Sequence, residues 1–545
     1  MRAEPEANRP TIRLLRNTPL PLVVSVAVAL LVGWPLAELV GVAVEVIGEP
    51  GAGPGLEPIV NTAMVGFGAA LLTVVLGASA ALLTERARIA GRQWLRLGIL
   101  LPVLIPPFVS ALSWLRAYGP SGLLDDAIGL ELAGLLGPLG IILVISINAT
   151  PLAYLLTVAA LRTRAEKDLE LAARVSGASP VVAARTVTVP LLAPALLGGG
   201  ALVFVVGINA FGVPAFLGTP ASFDTVTTRI YQDLALSARP ASFARAILLA
   251  TGLVLAALVV VSAGEAMLHR AGETPRRAAP GGPSPQIGRP LRLLTAFVWV
   301  IIALTTIAPL IALILIALTK APGLAPVPAN WTMANFAQAL DGRFLGALGR
   351  SALLALLAAT SAVFLGAMVA GLRNRFGRLA GLAALLGFAV PGSTLAVAML
   401  LSYGSALRDT LALILIAYVA KLWAVGHRSI AGSAGNIAPE LVYAARSSGA
   451  STSTALRTIV FPLLRPALGG GWVLVFLFAF HELTMSSLLY GPGTDTLAVS
   501  ILNLQQLGDV PVSSALAVIL TVPLLVGAIP LLVIGNLPRR LMGTG

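Results

Sequence analysis

A polar, alanine-rich segment of 32 residues occurs twice in this chain, and its repetition limits the fold more than any other feature. The first copy, Asp168 to Gly199, reads DLELAARVSGASPVVAARTVTVPLLAPALLGG, and the second, Glu440 to Gly471, reads ELVYAARSSGASTSTALRTIVFPLLRPALGGG. At an offset of 272 they agree at 19 of 32 positions without a gap. That offset is half of 545 residues, so the whole protein is a duplication rather than a chain with a local repeat.

Each copy has a readable local structure. Leu169, Ala172, Ala173 and Arg174, then Leu441, Ala444, Ala445 and Arg446, suit a short helix, and Asp168 or Glu440 at its start favours the positive end of the helix dipole. Gly177 and Gly449 predict its end, because a turn needing positive φ is open to glycine at no steric cost. Ala183 to Thr186 and Ala455 to Thr458 suit a second helical piece carrying Arg185 or Arg457. Pro190 and Pro462 follow where an apolar segment begins, a helix start that tolerates a missing N–H. The expected unit is helix, glycine turn, helix, set between apolar spans.

Composition decides where such a unit can sit. Hydrophobic residues make up 57% and charged residues 11%, with a mean hydropathy of +0.93, far from a soluble domain. The chain reads as an all-α polytopic membrane protein. There is no cysteine, hence no disulfide framework and no thiolate metal site. The net charge of +13 does not point to nucleic acid, because the basic residues are scattered over short loops between apolar runs.

About twelve spans are expected, in two parallel sets of six. They fall near 20–38, 61–84, 96–118, 134–161, 191–217 and 244–266, then 291–319, 346–371, 379–404, 409–430, 466–490 and 513–537. With both termini in the cytoplasm, the inner segments hold 27 Lys and Arg, the outer segments eight, and Lys421 lies within a span. The positive-inside rule then places both repeated segments in the cytoplasm. The Pro- and Gly-rich stretch from His269 to Pro290 reads as a flexible cytoplasmic linker, giving domains 1–268 and 291–545 around a linker at 269–290. Ile105-Pro106-Pro107 in one half matches Val390-Pro391-Gly392 in the other. Such prolines mark either a moving part or a common membrane-helix kink.

The repeated segment resembles the EAA loop of binding-protein-dependent ABC importer permeases. Ala172, Ala173, Gly177, Val187 and Pro190 fill its pattern in the first copy, as do Ala444, Ala445, Gly449, Ile459 and Pro462 in the second. Leu171 and Tyr443 stand where the motif carries its leading acid. The resemblance implies the type I importer permease fold, in the bacterial inner membrane. It also implies that Leu171, Ala172, Ala173, Arg174, Gly177 and Pro190, with Tyr443, Ala444, Ala445, Arg446, Gly449 and Pro462, dock an ATP-binding-cassette ATPase dimer. A solute-binding protein would deliver the cargo. Glu482 to Ser500 and Asn209 to Tyr231 look like the fused permeases of ferric-iron importers; thiamine, phosphonate, polyamine and sulfate importers share the build.

The chemistry present agrees with a non-enzymatic role. No Gly-x-x-x-x-Gly-Lys-Ser/Thr occurs, and none of Lys167, Lys320 and Lys421 follows a glycine, so a P-loop is missing. ATP and Mg are expected on the partner ATPase, and no cofactor, metal or catalytic residue is expected on this chain. His481 and Glu482 fall in the eleventh expected span, with Asn209 at the place of His481 in the other half. They read either as lining of a translocation path or as helix-packing hydrogen bonds, and the second reading is favoured further for Lys421 and Asn148. A rival class, the ion-gradient-driven twelve-helix transporter, expects a Gly-x-x-x-Asp loop after the second span. Glu85 to Arg96 reads ERARIAGRQWLR and lacks it.

Overall fold

The computed structural model describes residues 20–272 except 88, 90, 130 and 164–166, and residues 292–536 except 372–383, 385, 386 and 388. These residues form helices and connecting turns, with one isolated antiparallel bridge between Thr319 and Trp331. An apolar chain in hydrocarbon must satisfy its backbone within each segment, and helices do this without edges.

The first half runs through α1 (Leu20–Val28), a π turn (Ala29–Gly33), α2 (Trp34–Val46), α3 (Glu57–Arg86), α4 (Arg92–Leu100), α5 (Pro107–Tyr118) and α6 (Pro138–Thr163). It continues with α7 (Lys167–Val175), α8 (Pro180–Ala183), a π turn (Ala184–Thr188), α9 (Val189–Ile208), α10 (Gly212–Leu217), α11 (Val226–Ala235) and α12 (Pro240–Gly272). The second half repeats the order: α13 (Arg292–Ile302), a π turn (Ala303–Ile307), α14 (Ala308–Leu318), α15 (Gly342–Gly371), α16 (Gly392–Leu407) and α17 (Leu411–Gly435). Then follow α18 (Pro439–Ser447), α19 (Thr452–Ala455), a π turn (Leu456–Val460), α20 (Phe461–Phe480), α21 (Ser486–Leu489), α22 (Leu497–Gln506) and α23 (Val510–Asn536).

Among the described residues nine helices are long and apolar enough to cross a membrane, a bent pair makes a tenth, and Gly392–Leu407 and Val510–Val526 are shorter apolar helices. All twelve expected spans therefore have a helical counterpart, but three are broken. The span expected at 96–118 bends by 103° between Arg92–Leu104 and Pro107–Ile128. Ile105, forced out of the helical region by the proline after it, is extended at φ −96° and ψ 123°. The spans expected at 191–217 and 466–490 stop at Ile208 and Phe480, and a short helix follows each break. The start of the span expected at 379 and residues 273–290 of the expected linker lie outside the described residues.

Contacts group the chain into two units that do not follow its linear halves. One comprises the described residues within 1–54, 230–258 and 342–500, the other those within 55–229, 259–341 and 501–545. The division into 1–268, 269–290 and 291–545 is one of sequence and rests on the repeat.

In the first unit α15, α17 and α20 pack together around the fully buried Trp423 and Tyr418, and α1 and α2 lie against the same core with α16. Small residues permit the approach: a Cβ on Gly366 would stand 2.4 Å from the backbone nitrogen of His427. The Tyr403 hydroxyl of α16 donates to Leu30 O at 2.7 Å, a carbonyl of the π turn that joins α1 to α2. A π turn disturbs the regular ladder of helix hydrogen bonds and leaves such a carbonyl available.

The second unit has the corresponding design. Helices α3, α6 and α9 pack together, and α5 packs on α14, which also meets α23. A Cβ on Gly77 would lie 2.6 Å from Ala153 Cβ. Tyr118, twelve residues after Pro106 as Tyr403 is after Pro391, donates to Leu304 O in the π turn that joins α13 to α14. Trp114 Nε1 donates to the next carbonyl, Thr305 O, at 2.9 Å. In both units the first span of one linear half is thus held by a tyrosine from the third span of the other.

Candidate functional site

Both repeated segments fold into the helix, glycine turn, helix unit. In the first, α7 ends at Gly177, whose φ of +93° only glycine adopts without strain. Ala178 N donates to Ala173 O and Gly177 N to Arg174 O, both at 3.0 Å, the bond pair of a Schellman cap. In the second, Gly449 has φ +85°, Ala450 N donates to Ala445 O and Gly449 N to Arg446 O, again at 3.0 Å. The next helix is capped alike: Val182 N donates to Ser179 Oγ at 3.3 Å, and Thr454 N to Ser451 Oγ at 3.1 Å. The chain thus reproduces one backbone geometry twice through nearly the same side chains.

The second helical piece does not stop before the apolar span as expected. Pro180–Ala183 runs through the π turn at Ala184–Thr188 into α9, and Thr452–Ala455 runs through Leu456–Val460 into α20. Pro190 and Pro462 therefore sit at the start of the α-helical stretch after a π turn, inside a continuous helical run. The loop is thereby joined to the span that follows it by unbroken helical backbone.

The surfaces of the two units expose apolar side chains beside basic and hydroxyl ones. Leu169, Leu171, Val175 and Val182 are exposed on the first, Val175 at 88%, and Leu441 and Leu456 on the second. Ala172 and Ala444 are exposed, Ala173 and Ala445 half-buried, Gly177 and Gly449 exposed. Arg174 is half-buried where Arg446 is exposed, Pro190 is exposed where Pro462 is half-buried, and Tyr443 is half-buried. Ala183 and Ala455 are buried and anchor each unit to the protein.

The two units differ at a residue that the motif does not single out. Glu170 Oε2 lies 3.6 Å from Arg86 Nε at the end of α3 and accepts from Thr188 Oγ1 at 3.2 Å. It ties α7 both to a membrane-spanning helix and to the π turn. The corresponding residue of the second unit, at the offset of 272, is Val442, and it is buried. The motif places its acid at Leu171, whereas the acid that makes the ion pair is one residue earlier. Nothing in the sequence marks Arg86 as its partner, because the two are brought together by packing.

His481 and Glu482 are not inside a span. Helix α20 ends at Phe480, His481 is its C-cap, and Glu482 lies in the break before α21. The carboxylate of Glu482 accepts from Met485 N at 2.8 and 3.0 Å, from Ser486 N at 3.0 Å and from Ser486 Oγ at 3.1 Å. It caps the short helix, so its negative charge is offset by the N–H groups it holds. Asn209 occupies the same C-cap place after α9, its N–H donating to Val205 O at 3.1 Å. Asn209 belongs to one unit and His481 with Glu482 to the other.

Lys421 and Asn148 serve the proline breaks. Lys421 Nζ donates to Val390 O, the carbonyl just before Pro391. Asn148 Nδ2 donates to Val144 O at 3.0 Å, and its Oδ1 accepts from Ser110 Oγ at 3.2 Å on the helix that follows Pro106. A small cavity beside that break is lined by Ser110, Ser113, Asn148 and Thr305. Among the described residues no group of three or more His, Asp or Glu side chains comes together as a metal site.

A family model described as "Binding-protein-dependent transport system inner membrane component" matches residues 73–264 and again 362–542. The "Fe(3+)-transport system permease protein FbpB 2" of Haemophilus influenzae is 25% identical over 457 residues, covering 82% of this chain and 83% of that protein. The "Molybdenum transport system permease protein ModB" of Mycobacterium bovis is 31% identical over 242 residues, 44% of this chain and 86% of its own length. The "Spermidine/putrescine transport system permease protein PotC" of Escherichia coli is 39% identical over 82 residues, 15% of this chain and 31% of that protein.

Proposed function

Because the chain belongs to the inner-membrane components of binding-protein-dependent transport systems, carrying that domain twice, we propose that it forms the entire membrane passage of an ABC importer. It takes its energy from a separate ATPase. The observation that carries this reading is the pair of matched loop units, each ending in a Schellman glycine and each presenting exposed apolar side chains. A dimeric ATPase has two equivalent grooves, and one duplicated chain supplies a knob for each. Leu171 to Arg174, Gly177 and Pro190, with Tyr443 to Arg446, Gly449 and Pro462, form these knobs. The continuous helical runs behind them carry the motion of the ATPase into α9 and α20.

Both termini are proposed to lie in the cytoplasm, which the excess of 27 Lys and Arg on the inner segments over eight on the outer ones supports. A solute-binding protein delivers cargo to the opposite face. The cargo reading is ferric iron, supported by the relative FbpB 2, whose match runs over both halves of this chain. Molybdenum is the second reading, supported by the higher identity of ModB over a single half. Asn209, His481 and Glu482 are proposed to line the path at the ends of α9 and α20, where the helices stop and backbone groups become available to cargo and water.

Two measurements test this. The purified chain in proteoliposomes should take up labelled solute only when the ATPase and ATP are supplied, and uptake without them refutes the proposal. Since the chain has no cysteine, Val175→Cys gives a unique thiol on an 88% exposed position. A membrane-impermeant maleimide should label it in inverted vesicles and not in intact cells.

A further inference from the structure

We infer that Arg116 is an anion-binding residue, and that the cargo meets this protein as an oxyanion or as a complex presenting anionic oxygen. This rests on the import reading only where it speaks of cargo; the binding site itself does not depend on it. Arg116 is near the end of α5 and is 8% exposed. Its Nε donates to Ser514 Oγ at 3.4 Å and its Nη2 to Gln505 Oε1, on α23 and α22 of the same unit. Both partners are neutral. Among the described residues no carboxylate lies within ion-pair distance of it, and Nη1 has no hydrogen-bond partner.

A buried guanidinium held only by neutral groups is costly, because a charge removed from water needs an opposite charge or several strong hydrogen bonds. The protein shows how it neutralises an arginine in the other unit. There Arg245 of α12 donates from Nε to Asp233 Oδ2 of α11 at 2.8 Å, with the carboxylate side chain 4% exposed. The two halves align at an offset of 271 in this region, where Asp224 matches Asp495, so the counterpart of Asp233 is Leu504. The counterpart of Arg245 is Leu516, so the second unit lacks both members of that pair and carries the unrelated Arg116 with no acid beside it among the described residues. Its guanidinium also comes from a different helix, at a place where the second half carries the apolar Leu401, 285 positions on.

The planar fork of an arginine matches the geometry of a tetrahedral oxyanion, and a single uncompensated positive charge repels polycations. Of the cargoes named for the relatives, this arrangement suits a molybdenum oxyanion or ferric iron carried with anionic ligands. It opposes the passage of spermidine or putrescine. Gln505 and Ser514 hold the fork through Nη2 and Nε and leave Nη1 without a hydrogen-bond partner among the described residues. The distribution of basic residues puts this end of α5 on the outer side, where cargo would arrive.

The decisive variant is Gln505→Glu, which puts a carboxylate on the atom that Arg116 already contacts. It neutralises the site with almost no change in shape. Thermal unfolding of the purified full chain would be followed with sodium molybdate or inorganic phosphate, against sodium chloride at equal ionic strength. The wild type should be stabilised by the oxyanions beyond chloride, with apparent affinity at least about tenfold weaker in Gln505→Glu and in Arg116→Gln. Gln505→Glu without anion should unfold at or above the wild-type temperature, which shows that it is folded. Equal oxyanion stabilisation of wild type and Gln505→Glu overturns the inference, as does none in the wild type. Uptake by cells expressing the full importer identifies the source. A loss in Gln505→Glu confined to labelled molybdate assigns the free oxyanion, and a loss of labelled ferric iron assigns an iron-bound one. Wild-type uptake of labelled spermidine that Gln505→Glu leaves unchanged also overturns it, whereas failure of uptake without the ATPase concerns only the import reading.

Discussion

The two turn glycines give the sharpest test of how the loop units work. Gly177 at φ +93° and Gly449 at φ +85° have no atom within 4 Å of where a Cβ would stand. A substitution there meets no clash, so its cost is that of the backbone conformation alone. For an L-residue in the left-handed region that is about 1–2 kcal/mol, less for asparagine, more for a β-branched side chain. Such a cost lowers the population of the capped loop roughly 5- to 30-fold. The glycines belong to different contact units, so their effects should add, to about 2–4 kcal/mol in the double variant. If the ATPase recognises the capped geometry, its affinity for the chain falls about 30- to 1,000-fold. The assay is recovery of the ATPase with the purified permease in detergent, together with uptake, across Ala, Asn and Val at both positions. The expected order of retention is Gly, Asn, Ala, Val, with the unfolding temperature of the chain itself nearly unchanged because both sites are exposed. Full ATPase recovery with the double valine variant, or asparagine as damaging as valine, would refute the argument from φ.

Three further predictions concern packing and tethering. Gly366→Ala, forcing a methyl to 2.4 Å from His427 N, should destabilise the chain by about 1–3 kcal/mol in thermal unfolding, while Gly432→Ala, with open space at its Cβ position, should not. Tyr403→Phe removes the donor to Leu30 O and should cost about 0.5–1.5 kcal/mol, read as a lower unfolding temperature and faster proteolysis near residues 29–33. Glu170→Gln breaks the ion pair with Arg86, whose side chains are 20% and 17% exposed, and should cost up to about 1 kcal/mol. It should lower uptake per ATP hydrolysed without releasing the ATPase. A double-mutant cycle with Arg86→Gln that shows no coupling would remove Glu170 from the mechanism.

Legibility in the sequence follows the range of the interactions involved. The loop units are readable because each part is local: a glycine that accepts positive φ, helix formers before it and a second helical piece after it. The role of the prolines is half legible. Pro106 predicts a disturbance, and the structure shows a 103° bend whose freed groups are met from elsewhere. At Pro391 the answering group is Lys421, far downstream, whose position inside a span suggests path lining as well as packing. The break at Asn209 escapes a reading of the sequence because the AFGVPAFL that follows is as apolar as the span before it; at His481 the following ELTMSS is more polar, but polar residues in a span read either as path lining or as helix packing.

From the residues alone come the duplication, the helical membrane class and the two glycine-capped loops, since composition, periodicity and backbone preference are properties of short stretches. Only the tertiary structure decided that, among the described residues, 20–54 pack with 342–500 and 292–341 with 55–229, that Glu170 rather than its neighbour reaches Arg86, and that Arg116 has no acid where Arg245 has one. Each of these depends on which elements pack together, including elements distant in the chain. Apolar faces in a membrane are nearly interchangeable in composition, so the choice of partner rests on the fit of small residues, π turns and single polar groups that no local pattern encodes.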